Sequence, residues 1–119
     1  MALLRVIIVE DSEDDLLLLL RALKKGGFEP VYTRVETEDG LRKALEDERW
    51  QLVISDHAMP RFSAPEALDI VKECGRDLPF IIVSGTIGED IAVAAMKAGA
   101  HDYILKGNLS RLAPAVCVN

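Results

Sequence analysis

"LVISDHAMP", Leu52 to Pro60, is the stretch on which the architecture turns. Leu52, Val53 and Ile54 form a short apolar run with no polar alternation, the pattern of a strand covered on both faces. Pro60 lacks the N–H that a ladder needs, so the strand stops before it. Asp56 therefore ends a buried strand on a carboxylate. A capping or turn aspartate is the common explanation for such a residue. The other is a carboxylate held at the mouth of a sheet for chemistry, and the flanking sequence has to choose between them.

Outward from this strand the pattern alternates. "LLRVIIVE" (Leu3 to Glu10), "PFIIVSG" (Pro79 to Gly85) and "HDYILK" (His101 to Lys106) read as further strands. "FEPVYTRV" (Phe28 to Val35) is a weaker one, in which Pro30 points to a sheet edge. Helical signals separate them. "SEDDLLLLLRALKKGG" (Ser12 to Gly27) opens with a capping serine and an acidic first turn and closes on basic residues and glycines. "TEDGLRKALEDE" (Thr37 to Glu48) reads as a helix despite Gly40. "SAPEALDIVKECG" (Ser63 to Gly75) has Ser63 as N-cap and Pro65 in its first turn. "GEDIAVAAMKAGA" (Gly88 to Ala100) is a fourth helix, and "NLSRLAPAVCVN" begins a fifth that stops early. Five strand–helix alternations mean an α/β fold with a mostly parallel sheet, and right-handed crossovers put helices on both faces.

The 119 residues fit one domain spanning 1–119, and half of them are hydrophobic, enough for a core at this size. A net charge of −6 without a basic patch argues against nucleic acid or an anionic membrane as a partner. Cys74 and Cys117 have no metal-like spacing and read as thiols of a reducing, cytoplasmic compartment. The longest apolar run, Leu16 to Leu20, is far too short to span a bilayer, and no signal peptide is visible. The last helix has barely three turns, so a piece of a longer protein, or a stand-alone domain cut short, is expected.

In open parallel sheets, ligands bind outside the carboxyl ends of the strands. Those ends carry Glu10-Asp11, Asp56, Ser84 and Lys106. Each has an ordinary explanation alone, as a cap, a turn residue or a solvated lysine. Together they make a set of carboxylates, a hydroxyl and an ammonium at one edge. Packed carboxylates repel by about 4 kcal/mol per pair at ~4 Å and an effective dielectric near 20, so a compensating cation is needed. Hard oxygen donors select Mg²⁺ or a similar ion. A metal beside a free carboxylate fits phosphoryl transfer, in which the carboxylate attacks and the cations neutralise the phosphoryl oxygens.

"VED", "SDHAMP", "VSG" and "YILK", in this order across a five-fold βα alternation, resemble the receiver domain of two-component response regulators. The resemblance covers nearly the whole chain. It implies a doubly wound, flavodoxin-like (βα)₅ sheet of five parallel strands in the order 2-1-3-4-5. It implies Asp56 as phosphoacceptor, and Mg²⁺ held by Glu10, Asp11, Asp56 and the backbone carbonyl of Ala58, with Asp11 binding more directly than Glu10. Ser84 and Lys106 match the residues that meet the phosphoryl group, and Tyr103 the aromatic switch residue that turns inward when the hydroxyl moves. A histidine kinase or phosphotransfer domain, a downstream effector and, as an option, a second copy of the chain are the implied partners. Val93, Met96 and Lys97 share a helical stripe expected to line the effector surface. The chain departs from the family in four places: Glu10 stands for the commoner aspartate, Ser84 for the more usual threonine, Ala64 for a frequent glycine, and Gly107 for the proline that usually follows the lysine.

Two other classes fit less well. A Mg²⁺-dependent phosphohydrolase with an aspartyl-phosphate intermediate typically has a second aspartate two residues after the nucleophile, where Ala58 stands. A flavin domain needs a Ser/Thr/Gly-rich loop after the first strand, where "EDSEDD" would repel phosphate. The leucine run adds one more expectation. Leu16, Leu19, Leu20 and Leu23 face the sheet, while Asp15, Leu18 and Ala22 fall on another line that begins near the acidic pocket. That line is either a docking point for the kinase's helical phosphohistidine domain or ordinary surface.

Overall fold

Eight residues, Ala2–Val9, apolar except for Arg5, start the sheet, and four more strands complete it. The fold is that of a computed structural model describing residues 2–57, 59, 61–75, 77–85 and 88–118. In chain order the elements are β1 (Ala2–Val9), α1 (Glu13–Lys25), β2 (Phe28–Val35), α2 (Glu38–Ala44), β3 (Leu52–Asp56), α3 (Ala64–Glu73), β4 (Phe80–Ser84), α4 (Glu89–Ala98) and β5 (Asp102–Leu105). A 3₁₀ stretch, Lys106–Arg111, then leads into α5 (Leu112–Val118). All pairings are parallel, and the strand order is β2-β1-β3-β4-β5. β3 and β4 are buried at every position because helices cover both of their faces. β2 lies at the edge, where Pro30 costs no central ladder bond.

Alternation along the strands divides the core in two. Val6, Ile8, Leu52, Ile54, Ile81, Val83 and Ile104 pack with α1 and α5. Ile7, Val9, Val53, Phe80 and Ile82 point the other way, against residues of α2, α3 and α4. Leu16, Leu19, Leu20 and Leu23 of α1 are the leucines that face the sheet, and Leu17 and Leu18 are exposed. Each such buried leucine contributes about 1.5–3 kcal/mol relative to exposure.

Caps set the helix boundaries. Ser12, Thr37 and Ser63 each accept a backbone N–H in the first turn, and Ser63 forms a full capping box with Glu66. Gly40 is tolerated because it is the residue whose N–H the Thr37 hydroxyl accepts, 3.0 Å away. α2 is shorter than its sequence pattern. Trp50 Nε1 donates to the carbonyl of Ala44 at 2.9 Å, and the Asp47 carboxylate accepts from Arg49 N at 2.9 Å, so the chain turns instead of continuing. Gly99 closes α4 in the left-handed region, φ 113°. The final helix also differs from expectation. Asn108 departs from helical geometry, and Ser110 Oγ bonds to its side chain at 3.2 Å, so a regular helix begins only at Leu112.

Two strand ends move by one residue. β1 stops at Val9 and β5 at Leu105, so Glu10 and Lys106 each stand just beyond their strand. No cis peptide bond occurs among the described residues, so the Lys106–Gly107 bond is trans.

Candidate functional site

The carboxyl ends of β1, β3, β4 and β5 meet at one edge of the sheet. Glu10 leaves β1 fully buried, 0% exposed, and Asp56 ends β3 at 8%. Asp11 is exposed at the rim. One carboxylate oxygen from each of Glu10, Asp11 and Asp56 lies within 4.8 Å of the others. Lys106 reaches into this group from the far side of the sheet. Its Nζ is 3.3 Å from Glu10 Oε2, 3.3 Å from Asp56 Oδ1 and 2.6 Å from Asp15 Oδ2. Ser84 is buried at the end of β4.

The electrostatics follow from that crowding. Burial pushes the Glu10 carboxyl up to about 7, and the nearby Asp56 charge adds to it. The Ser12 N–H, 3.1 Å from Oε1, and the Lys106 ammonium oppose the rise. For Lys106, burial favours the neutral form but is outweighed by the hydrogen bond its ammonium donates to Asp15 and by the charges of Glu10 and Asp56. Its ammonium is therefore held above the usual lysine range. One ammonium faces four carboxylates, those of Glu10, Asp11, Asp15 and Asp56, so the edge carries excess negative charge. A hard divalent cation fits both that charge and the all-oxygen donor set.

Every strand-end residue expected from the sequence reaches this edge. Ala58 lies outside the described residues. Asp15, which the sequence puts on the docking line, is also the nearest partner of Lys106. An acid in the first turn of a helix reads as a dipole complement, so nothing in the sequence singled out that second role. Leu18, 45% exposed, and half-buried Ala22 line a groove of about 680 Å³ between α1 and α5, with Leu109 and Pro114 opposite. Val93 and Met96 are 53% and 45% exposed on α4, with Lys97 exposed beside them. Tyr103 packs inward against the α2–α4 side of the core. Its ring lies 6.2 Å from that of His57, tilted by 60°. His57 carried no role in the sequence.

The comparisons agree with this geometry. The family model for the response regulator receiver domain matches residues 6–116. The transcriptional regulatory protein PrrA of Mycobacterium tuberculosis is 34% identical over 102 residues, which cover 86% of this chain and 43% of that protein. The DNA-binding transcriptional regulator NtrC of Proteus hauseri is 33% identical over 99 residues, covering 83% of this chain and 20% of that protein. The chain thus spans less than half the length of these curated relatives. Among solved structures, a response regulator receiver domain protein from Clostridium thermocellum superposes with a TM-score of 0.81 at 26% identity, covering 97% of this chain and 92% of that one. FixJ-N gives 0.80 at 27% identity, covering 99% and 93%. A parallel five-stranded sheet in this order, an acidic edge and a match across almost the whole sequence lead to one conclusion: the chain belongs to the response regulator receiver domains, the phosphoacceptor modules of two-component signalling.

Proposed function

We propose that Asp56 is the phosphoacceptor. The observation that carries the assignment is its position: it is the last residue of a fully buried strand, 3.3 Å from Lys106 and within ligand distance of Glu10 and Asp11. A carboxylate oxygen of Asp56 bonds to the phosphorus of a phosphohistidine. The phosphorus–nitrogen bond breaks, and its electron pair leaves with the imidazole. Lys106, already bonded to Asp56, follows the charge onto the phosphoryl oxygens. Ser84, at the end of the adjacent strand, has a hydroxyl to donate to the same group. Glu10, Asp11 and Asp56 would hold Mg²⁺, which would supply neutralisation of the phosphoryl charge. In this reading the domain promotes the modification of its own carboxylate, with the phosphoryl group taken from an external phosphodonor.

The partner surfaces follow the same reading. The groove holding Leu18 and Ala22 begins one turn from Asp15, beside the acidic edge, and suits a helical phosphohistidine domain. Val93, Met96 and Lys97 form a separate exposed stripe on α4, suited to an effector or a second copy. No helix among the described residues is long and apolar enough to cross a membrane. With two free thiols, Cys74 and Cys117, this supports a cytoplasmic site of action.

Intact mass after incubation with acetyl phosphate and Mg²⁺ tests the assignment. One added phosphoryl is expected, absent in Asp56→Asn and absent with a chelator. Labelling that persists in the Asn variant would refute it.

A further inference from the structure

Two buried side-chain atoms among the described residues have no hydrogen-bond partner, His57 Nδ1 and the Tyr103 hydroxyl. They belong to the two rings that meet 6.2 Å apart beside the acidic edge. Buried polar groups are almost always paired, and each one left unpaired costs stability. Two such groups on touching residues are matched in kind. A phenol donates, and a neutral imidazole protonated on Nε2 accepts at Nδ1. We propose that His57 is the positioning residue for Tyr103: the Tyr103 hydroxyl donates to His57 Nδ1, forming a latch that ties the residue after the phosphoacceptor to β5.

The backbone geometry confines the movement that closes this latch to side-chain torsions. His57 N–H donates to the Val83 carbonyl at 2.9 Å, and Tyr103 pairs in register with Ile82. Both residues therefore hang on neighbouring positions of β4. Space for the imidazole to turn is present, because His57 lines a cavity of about 320 Å³ between α3 and α4, walled by Leu68, Ile82, Ile91 and Ala95. The chain's other histidine behaves differently. His101 Nδ1 already accepts from Phe80 N at 3.0 Å. Because His57 directly follows Asp56, any shift of the phosphoacceptor on modification reaches the latch through one peptide bond. The assignment rests on the phosphoacceptor reading only for that last link.

The test is a double-mutant cycle with His57→Leu and Tyr103→Phe in the whole chain, read by urea unfolding with and without beryllofluoride and Mg²⁺. A hydrogen bond between the two predicts non-additivity of about threefold to tenfold in the unfolding constant, larger with beryllofluoride. His57→Asn, which keeps a polar atom at the Nδ1 position, should retain the coupling to Tyr103. His57→Gln, which places its amide farther out, should lose it. This pair carries the cycle if His57→Leu does not fold. In ¹⁵N-histidine-labelled protein, Tyr103→Phe should move the His57 Nδ1 resonance and leave that of His101 in place. Additive effects in both states, with an unmoved His57 resonance, would overturn the latch. A wild type that takes up neither beryllofluoride nor phosphoryl instead overturns the phosphoacceptor reading, and the cycle in unmodified protein still judges the latch.

Discussion

Glu10 is the residue on which pH acts most directly. Its carboxyl is raised from 4.5 to about 7, first by burial and then by Asp56. A raised carboxyl means that the folded chain holds a proton the unfolded chain has lost. Metal-free stability should therefore fall as pH rises from about 4.5 to about 7 and then level off. The loss is on the order of 3 kcal/mol. Urea midpoints of wild type and Glu10→Gln between pH 5 and pH 8 check this, since the Gln variant should lack that component of the slope. Mg²⁺ affinity should rise over the same window, because ligation competes with the proton. Asp11→Ala should weaken Mg²⁺ more than Glu10→Ala, as judged by titration at pH 8. Asp56 and Lys106 were legible in the sequence because residues at strand ends converge in any parallel sheet. The His57–Tyr103 contact was not, because it depends on ring orientation across two strands that neither sequence segment encodes.

At the scale of elements, α1 carries two different demands. Its sheet-facing leucines were readable from spacing alone, and so was the separate line through Leu18. What spacing did not show is that α5 supplies the opposite wall of the groove beside Leu18. Leu18→Lys should leave folding and acetyl phosphate labelling intact while slowing transfer from the cognate kinase, measured by radiolabel transfer. Unchanged transfer in a folded variant would leave Leu18 as plain surface. The same interface makes Gly26 sensitive. A Cβ there would collide with the Cβ of Ala113, so Gly26→Ala should destabilise by ~1–3 kcal/mol through overpacking, seen in the urea midpoint. The ends of α2 and α5 escaped sequence reading for a common reason. Both are settled by single side-chain bonds, from Trp50 and around Asn108, that compete with a helical pattern otherwise intact.

Across the whole molecule, uncompensated acid at the sheet edge is a standing cost that a cation relieves. Saturating Mg²⁺ should raise the melting temperature by about 5 °C or more, since binding to the folded state alone stabilises it by mass action. Equal melting curves with and without Mg²⁺ would count against the acidic edge as a metal site. The strand order was legible only through family resemblance, because alternation dictates a parallel sheet but not which strands are neighbours. The bond from Lys106 to Glu10 joins residues 96 positions apart. During synthesis the acids of β1 and β3 leave the ribosome well before their ammonium does. A nascent chain can thus form its first βαβ unit with a charged edge that nothing yet neutralises, and such long-range closure is slow. The acidic edge is completed only when Lys106 docks against Glu10 and Asp56. In refolding experiments, fluorescence of Trp50, in the connection before β3, should recover first, and beryllofluoride uptake should never precede it.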